Sequence, residues 1–204
     1  KEFFQISSGG SQDRRILLLT LEGEGLQGWG ECVASADPSY AYETTDTSWH
    51  VLTDFILPSV VGTELHSPEA VLDPVWWIRG HGMAKAAVEM ASWDMAARAD
   101  GVSLSQKIGG VRDRVPVGVS VGIKDTDEEL HDQVQGFIED GYARVKIKVK
   151  PGRDVDMLSG LCERFPDTVF MADANSAYTL ADVDIFKALD PLDLLMIEQP
   201  LRYD

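Results

Sequence analysis

The sequence is short of cysteine, of positive charge and of long apolar runs, and each shortage excludes something. Its two cysteines, Cys32 and Cys162, lie far apart with no CxxC pairing. A disulfide framework and a cysteine-based structural zinc site are therefore not indicated, and a reducing, cytoplasmic setting is expected. Lys and Arg number 18 against 34 Asp and Glu, a formal net charge of -16. Such a charge repels nucleic acid and anionic membrane surfaces, and leaves small molecules, metals or protein subunits as partners. No apolar run approaches the roughly 18 residues of a membrane helix, and the opening KEFFQISSGG has no signal-peptide core. The four histidines, His50, His66, His81 and His131, show no ligand spacing. An initiator Met is also lacking and the sequence stops at LRYD, directly after a strand-like segment, so it reads as a fragment.

What is present is ample apolar material, 44% of 204 residues, enough for one large domain or one plus a smaller. Two regimes divide it. Arg14 to Val33 reads as two strands around a Gly/Glu turn, and the segments that follow to about Gly110 are mainly helical, an α+β region. AKAAVEMASWDMAARADG is rich in helix formers, ends on the C-cap signal Asp100-Gly101, and has alanines suited to close packing, which makes Lys85 and Glu89 structural. From Val115 strands and helices alternate strictly: VPVGVSV, a helix from near Asp125 capped by Thr126 or Asp127, ARVKIKV, a helix near 154–165, TVFMADA, a helix near 180–189, and LLMIEQP. Alternation of this kind means parallel strands with right-handed crossovers, in an open doubly wound sheet or part of a (β/α) barrel.

GEGLQG, Gly23 to Gly28, matches G-x-G-x-x-G but continues into a strand rather than opening a helix, and Glu22 and Glu24 would repel phosphates. A hairpin turn is expected instead.

The segment GYARVKIKVKPG alternates Val145, Ile147 and Val149 with Lys146, Lys148 and Lys150, so the lysines share one side of a strand. In a barrel, helices cover the apolar side and Lys146 and Lys148 point inward, where burial lowers a lysine's pKa toward that of a general base. On this strand alone an edge strand with solvated lysines fits as well. The neighbouring strands decide: Asp173 ends VFMAD and Glu198 ends LLMIE, and 148, 173 and 198 fall at equal intervals, one βα unit each. Singly, a carboxylate after a strand is also an ordinary loop residue or helix cap. Together, two carboxylates and a lysine at the strand ends where barrel sites are built call for a cation between the carboxylates, and hard oxygen ligands suit Mg²⁺. Lys150, just before Pro151-Gly152, lies beyond the strand and reads as solvated, and Trp76 and Trp77 read as core or interface aromatics.

KIKVKPG, DANSAYT and IEQPL, with GWGEC, AKAAVEMASWD and VPVGVSVG, resemble the motifs of the enolase superfamily, muconate-lactonizing subgroup, and are most similar to the family of o-succinylbenzoate synthases and N-succinylamino acid racemases. The resemblance implies an α/β chain with an N-terminal α+β capping domain over residues 1–110, N-terminally incomplete. The first four β/α units of a modified (β/α)8, TIM-like barrel would follow over 111–204, C-terminally incomplete. It implies Lys148 as acid/base, Lys146 deeper and near the substrate carboxylate, Asp173 and Glu198 as Mg²⁺ ligands with Mn²⁺ as a substitute, and Asn175 and Ser120 as substrate contacts. It further implies a homo-oligomeric enzyme acting on a small-molecule carboxylate, and a mobile cap loop at SSGGSQ.

The chemistry implied is removal of a proton next to a carboxylate through an enediolate, in the dehydration of menaquinone biosynthesis or in racemisation. A third metal carboxylate and an opposing lysine would come from later strands, and half a barrel, with two unpaired edges, is not expected to be active alone. Other readings stay open: a muconate-cycloisomerase-like or dipeptide-epimerase-like enzyme, a metal-free Schiff-base lyase using Lys148 as nucleophile, and a noncatalytic relative.

Overall fold

The computed structural model describes residues 4–6, 9–11 and 13–202, with side chains from Asp13 onward. The chain divides into two compact units, Asp13–Asp113 and a second made of Lys1–Gln12 with Arg114–Asp204.

The unit Asp13–Asp113 is built on the expected hairpin. Strands β3 (Leu17–Gly23) and β4 (Leu26–Cys32) pair antiparallel from Leu17↔Cys32 to Gly23↔Leu26. The connecting Glu24 and Gly25 both have positive φ, 51° and 80°, as a two-residue hairpin turn matching the strand twist requires. Helix α1 (Thr45–Val51) starts from a Thr44 capping box closed by Thr47, and passes through a π turn, Leu52–Ile56, into the short α2 (Leu57–Val60). A 3-10 segment, Glu69–Val75, leads to the long helix α3 (Gly82–Ala99), then to α4 (Leu104–Lys107) with its Ser103–Gln106 capping box.

Helix α3 lies on β4 at backbone distance. A β-carbon placed on Gly28 would stand 2.0 Å from the Ala91 carbonyl oxygen, and one on Gly30 would stand 1.8 Å from that of Ala87. Small residues on both partners thus decide the approach. The core beneath gathers Leu19, Ile56, Val71, Val75, Val88 and Ala91.

The other unit holds a four-stranded parallel sheet in the order β5 (Gly118–Val121), β6 (Arg144–Lys148), β7 (Val169–Asp173), β8 (Ile197–Glu198). Helices α5 (Asp127–Glu139), α6 (Val155–Arg164) and α7 (Val183–Leu189) connect successive strands. Thr126 caps α5, its side chain accepting from the Glu129 N–H at 3.2 Å, and Asp154 caps α6. Val145, Ile147 and Val149 are buried in one cluster with Leu130, Val134, Leu158 and Leu161, so the apolar side of β6 faces the helices.

Three elements differ from the sequence reading. The strand expected from Val115 is confined to Gly118–Val121, because Pro116 has no N–H to give a ladder. The helix expected over 180–189 opens as a 3-10 turn, Leu180–Asp182, with a capping box closed by Thr179 and Asp182. Of the segment SSGGSQ, Gly9–Ser11 form strand β2, paired antiparallel with β1 (Phe4–Ile6), where a loop was expected. Ser7, Ser8 and Gln12 lie outside the described residues.

Candidate active site

Parallel register brings the predicted side chains onto two rungs of one sheet face. Lys148 pairs with Asp173 and Asp173 with Glu198, while one rung lower Ser120 pairs with Lys146. Period-two alternation then puts all five on the same side, at the C-terminal ends of the strands.

The charged groups touch. Lys148 Nζ donates to Asp173 Oδ2 at 2.6 Å and to Asn175 Oδ1 at 2.8 Å. Lys146 Nζ lies 2.7 Å from Glu198 Oε2 and 3.1 Å from Asp173 Oδ2. The Asn175 N–H donates to the other Asp173 oxygen, Oδ1, at 3.1 Å. Asp173 is fully buried and Lys148 is 8% exposed. A buried carboxylate of this kind is tolerable only because two ammonium groups and a backbone donor compensate its lost hydration.

These contacts set the protonation states. Burial alone would raise the Asp173 pKa, but the hydrogen bonds from Lys148, Lys146 and the Asn175 N–H hold it below the usual carboxylate range. Burial alone would lower Lys146, but Glu198 and Asp173 hold it above the usual ammonium range. For Lys146 this corrects the expectation that interior placement depresses a lysine: the carboxylates outweigh desolvation. Lys146 lies one rung below Lys148 and is the more exposed of the two, at 25%. Its flexible stem carries the ammonium toward Glu198, itself 33% exposed, on the open side of the sheet.

Ser120 stands beside Lys146 in register, and its hydroxyl oxygen is buried without a hydrogen-bond partner among the described residues. Backbone geometry at the strand ends is unusual: Asn175, Ser176 and Gln199 have positive φ of 44°, 64° and 44°. Conformations of this kind cost roughly 1–3 kcal/mol each and concentrate at functional sites.

A shared ammonium shows that Asp173 and Glu198 direct oxygens to one cation-sized position, and hard oxygen donors are the chemistry a divalent ion selects. Among the described residues no group of three or more His, Cys, Asp or Glu is gathered. The two carboxylates therefore fit as part of a ligand set. Lys150 pairs by a backbone bridge with Arg153, away from this cluster. Lys85 donates to the Ile78 carbonyl, consistent with a structural role.

The sequence reading passed over Tyr178 and the side chain of Asp154, which meet behind these strand ends: the Tyr178 hydroxyl donates to Asp154 Oδ2 at 2.9 Å. No periodicity links positions 24 residues apart on two different loops; the one signal available was a tyrosine inside DANSAYT, immediately after a strand-end carboxylate.

The N-terminal domain of the mandelate racemase / muconate lactonizing enzyme family matches residues 1–109, and the enolase C-terminal domain-like family matches 129–204. The o-succinylbenzoate synthase of Geobacillus stearothermophilus is 45% identical over 202 residues, 98% of this chain and 54% of the relative. An N-succinylamino acid racemase of Thermus thermophilus is 46% identical over 201 residues, again 98% of this chain and 54% of the relative. The crystal structure of an enolase superfamily member from Listeria innocua superposes with a TM-score of 0.93 at 36% identity, covering 98% of this chain and 54% of that one. The chain thus spans about half the length of the curated relatives it matches. The fold is the expected one, an α+β cap followed by the first part of a modified (β/α)8 barrel. Membership implies a divalent metal, which the carboxylate pair fits. By sequence and by structure alike, the chain belongs to the mandelate racemase / muconate lactonizing enzyme family of the enolase superfamily.

Proposed function

We propose that the whole protein abstracts a proton next to a carboxylate, as an o-succinylbenzoate synthase, an N-succinylamino acid racemase, or both. The observation that carries this reading is the rung Lys148–Asp173–Glu198, a buried ammonium against one of two carboxylates at parallel strand ends. Relatives bearing both names at 45% and 46% identity support it.

In this reading Asp173 and Glu198 hold Mg²⁺, or Mn²⁺ in its place. The bound ion supplies Lewis-acid stabilisation to the negative charge that develops on the substrate carboxylate. Lys148 removes the α-proton; for dehydration it then returns a proton to the departing hydroxyl on the same face, so one lysine serves both steps. Lys146 adds positive potential beside the carboxylate, and Ser120 and Asn175 contact the substrate. That superfamily sites pair a Lys or His base with Mg²⁺ is a general rule. The domain reading that accompanies it is a cap over 1–110 and barrel units over 111–204, in a homo-oligomeric, cytoplasmic enzyme.

The test is isotope exchange. In D₂O the whole protein should exchange the α-proton of an N-succinylamino acid, or convert the cyclohexadiene carboxylate precursor to its dehydrated aromatic product, and in either case lose the activity in EDTA and regain it with Mg²⁺. Lys148→Ala should abolish exchange and leave metal affinity nearly intact, as read by calorimetric titration. Turnover that survives in Lys148→Ala assigns the base elsewhere. A Schiff-base route would instead show as covalent trapping of substrate by borohydride.

A further inference from the structure

One loop follows Lys148 and another carries Asn175, and a partly buried hydrogen bond joins them. The loop after β6 runs from Val149 to Asp154, and the loop after β7 runs from Ala174 to Thr179. Asp154 is divided between two tasks: Oδ1 accepts from the Val155 N–H at 2.7 Å, capping α6, while Oδ2 accepts from the Tyr178 hydroxyl at 2.9 Å. Tyr178 is 2% exposed, and its ring stands edge-on to Phe186 with centroids 5.1 Å apart. A third loop is tied in through the backbone, the Tyr178 N–H donating to the Pro200 carbonyl at 3.1 Å and the Ser176 N–H to that of Gln199 at 2.7 Å.

The bond has something to restrain. Asn175 and Ser176, in succession, hold left-handed backbone conformations that ordinary residues leave unless the surroundings over-determine them. Asn175 in turn accepts from the Lys148 ammonium. A slack loop would move the amide oxygen and, with it, the lysine. Burial, followed by the adjacent Asp154 carboxylate, raises the phenol's pKa, which keeps it a neutral donor.

We propose that Tyr178 and Asp154 are positioning residues: their hydrogen bond locks the loop after β7 to the loop after β6, and so fixes Asn175 and the ammonium of Lys148 relative to Asp173. The catalytic part of this inference rests on the function proposed above; the mechanical part does not.

The test compares Tyr178→Phe, which keeps the ring against Phe186 and removes only the donor, with Asp154→Asn, which keeps one oxygen for the α6 cap and offers an amide N–H to the phenol oxygen, so that a bond of reversed direction still joins the loops. Amide hydrogen exchange and labelling of Lys148 by an amine-reactive reagent read the loops without any substrate. Tyr178→Phe should raise exchange several-fold over 149–154 and 174–179 while 127–139 keeps its rate, and should raise Lys148 labelling in parallel. Asp154→Asn should retain most of the protection. Exchange that is unchanged, or that rises equally over 127–139, overturns the proposal. If Tyr178→Phe fails to fold, Asp154→Ser replaces it, a cap oxygen too short to reach the phenol.

In the whole protein Tyr178→Phe should lower kcat roughly tenfold with KM unchanged, since small misplacements of a reacting group are costly. An unchanged kcat removes the catalytic role. A wild-type protein that neither exchanges the α-proton of an N-succinylamino acid nor dehydrates the precursor defeats the proposed function instead, and the substrate-free measurements still decide the lock.

Discussion

At the residue scale, the cost of burying charge is met in two different ways. Glu43 is 4% exposed and accepts from the Met83 N–H at 3.0 Å and the Ala84 N–H at 3.2 Å, so a carboxylate 40 residues upstream caps α3. Its charge opposes the positive end of the helix dipole. Glu43→Ala strands those donors in the interior and should cost about 1–3 kcal/mol, read as a lower urea midpoint, whereas Glu43→Gln should lose less because an acceptor oxygen remains. Asp173, more deeply buried still, is compensated by two lysine ammonium groups rather than by a helix end. Tyr178 gives a pH-dependent counterpart. Its pKa is raised by burial first and then by Asp154 and Asp182, so the folded state keeps the phenolic proton longer than the unfolded chain. The stabilisation is full below the ordinary value of 10.0 and is lost as pH rises above it through the raised folded value. The urea midpoint of wild type should therefore fall more steeply between pH 9 and 11 than that of Tyr178→Phe, the difference isolating this one group.

At the element scale, helix α3 and strand β4 show which parts of the fold could be read in advance. The helix itself was legible from its alanines and from Gly101, which ends it at a φ of 67°. The hairpin was legible because Glu24-Gly25 interrupts two apolar runs. What could not be read is that Gly28 and Gly30 belong to α3 as much as to β4: only the approach of two backbones gives those hydrogens their value. Gly30→Ala should be severely destabilising, by about 3 kcal/mol or more, because the atoms in the way are main chain and cannot rotate aside. Loss of the cooperative tryptophan-fluorescence transition, or a large drop in its midpoint, would show it. The site divides the same way. Lys146, Lys148, Asp173 and Glu198 were legible because period two fixes a face and one βα unit fixes a rung. The Tyr178–Asp154 bond was not, since it joins two loops whose paths no pattern constrains. The raised state of Lys146 was misread because burial was weighed without the carboxylates that arrive from other strands.

At the scale of the whole molecule, each compact unit has its own apolar core. One gathers Leu19, Ile56, Val71 and Val88; the other gathers Val121, Val145, Leu158 and Leu161. A unit with its own core unfolds with its own free energy to the extent that its core, rather than a neighbour's, supplies the stabilisation. The sequence offers a direct way to see this. All five tryptophans, Trp29, Trp49, Trp76, Trp77 and Trp93, fall within Asp13–Asp113, so tryptophan emission reports that unit alone, while far-UV circular dichroism reports both. Leu158 is fully buried between α6 and the sheet, and Leu158→Ala should cost the barrel unit about 2–5 kcal/mol, its lost transfer energy plus the cavity left behind. In urea the dichroism transition of Leu158→Ala should broaden or split toward lower denaturant while the tryptophan midpoint stays in place. Gly30→Ala should do the reverse. If Leu158→Ala drags the tryptophan midpoint down by the same amount as the dichroism, the two cores unfold as one cooperative body and their stabilities are not separable.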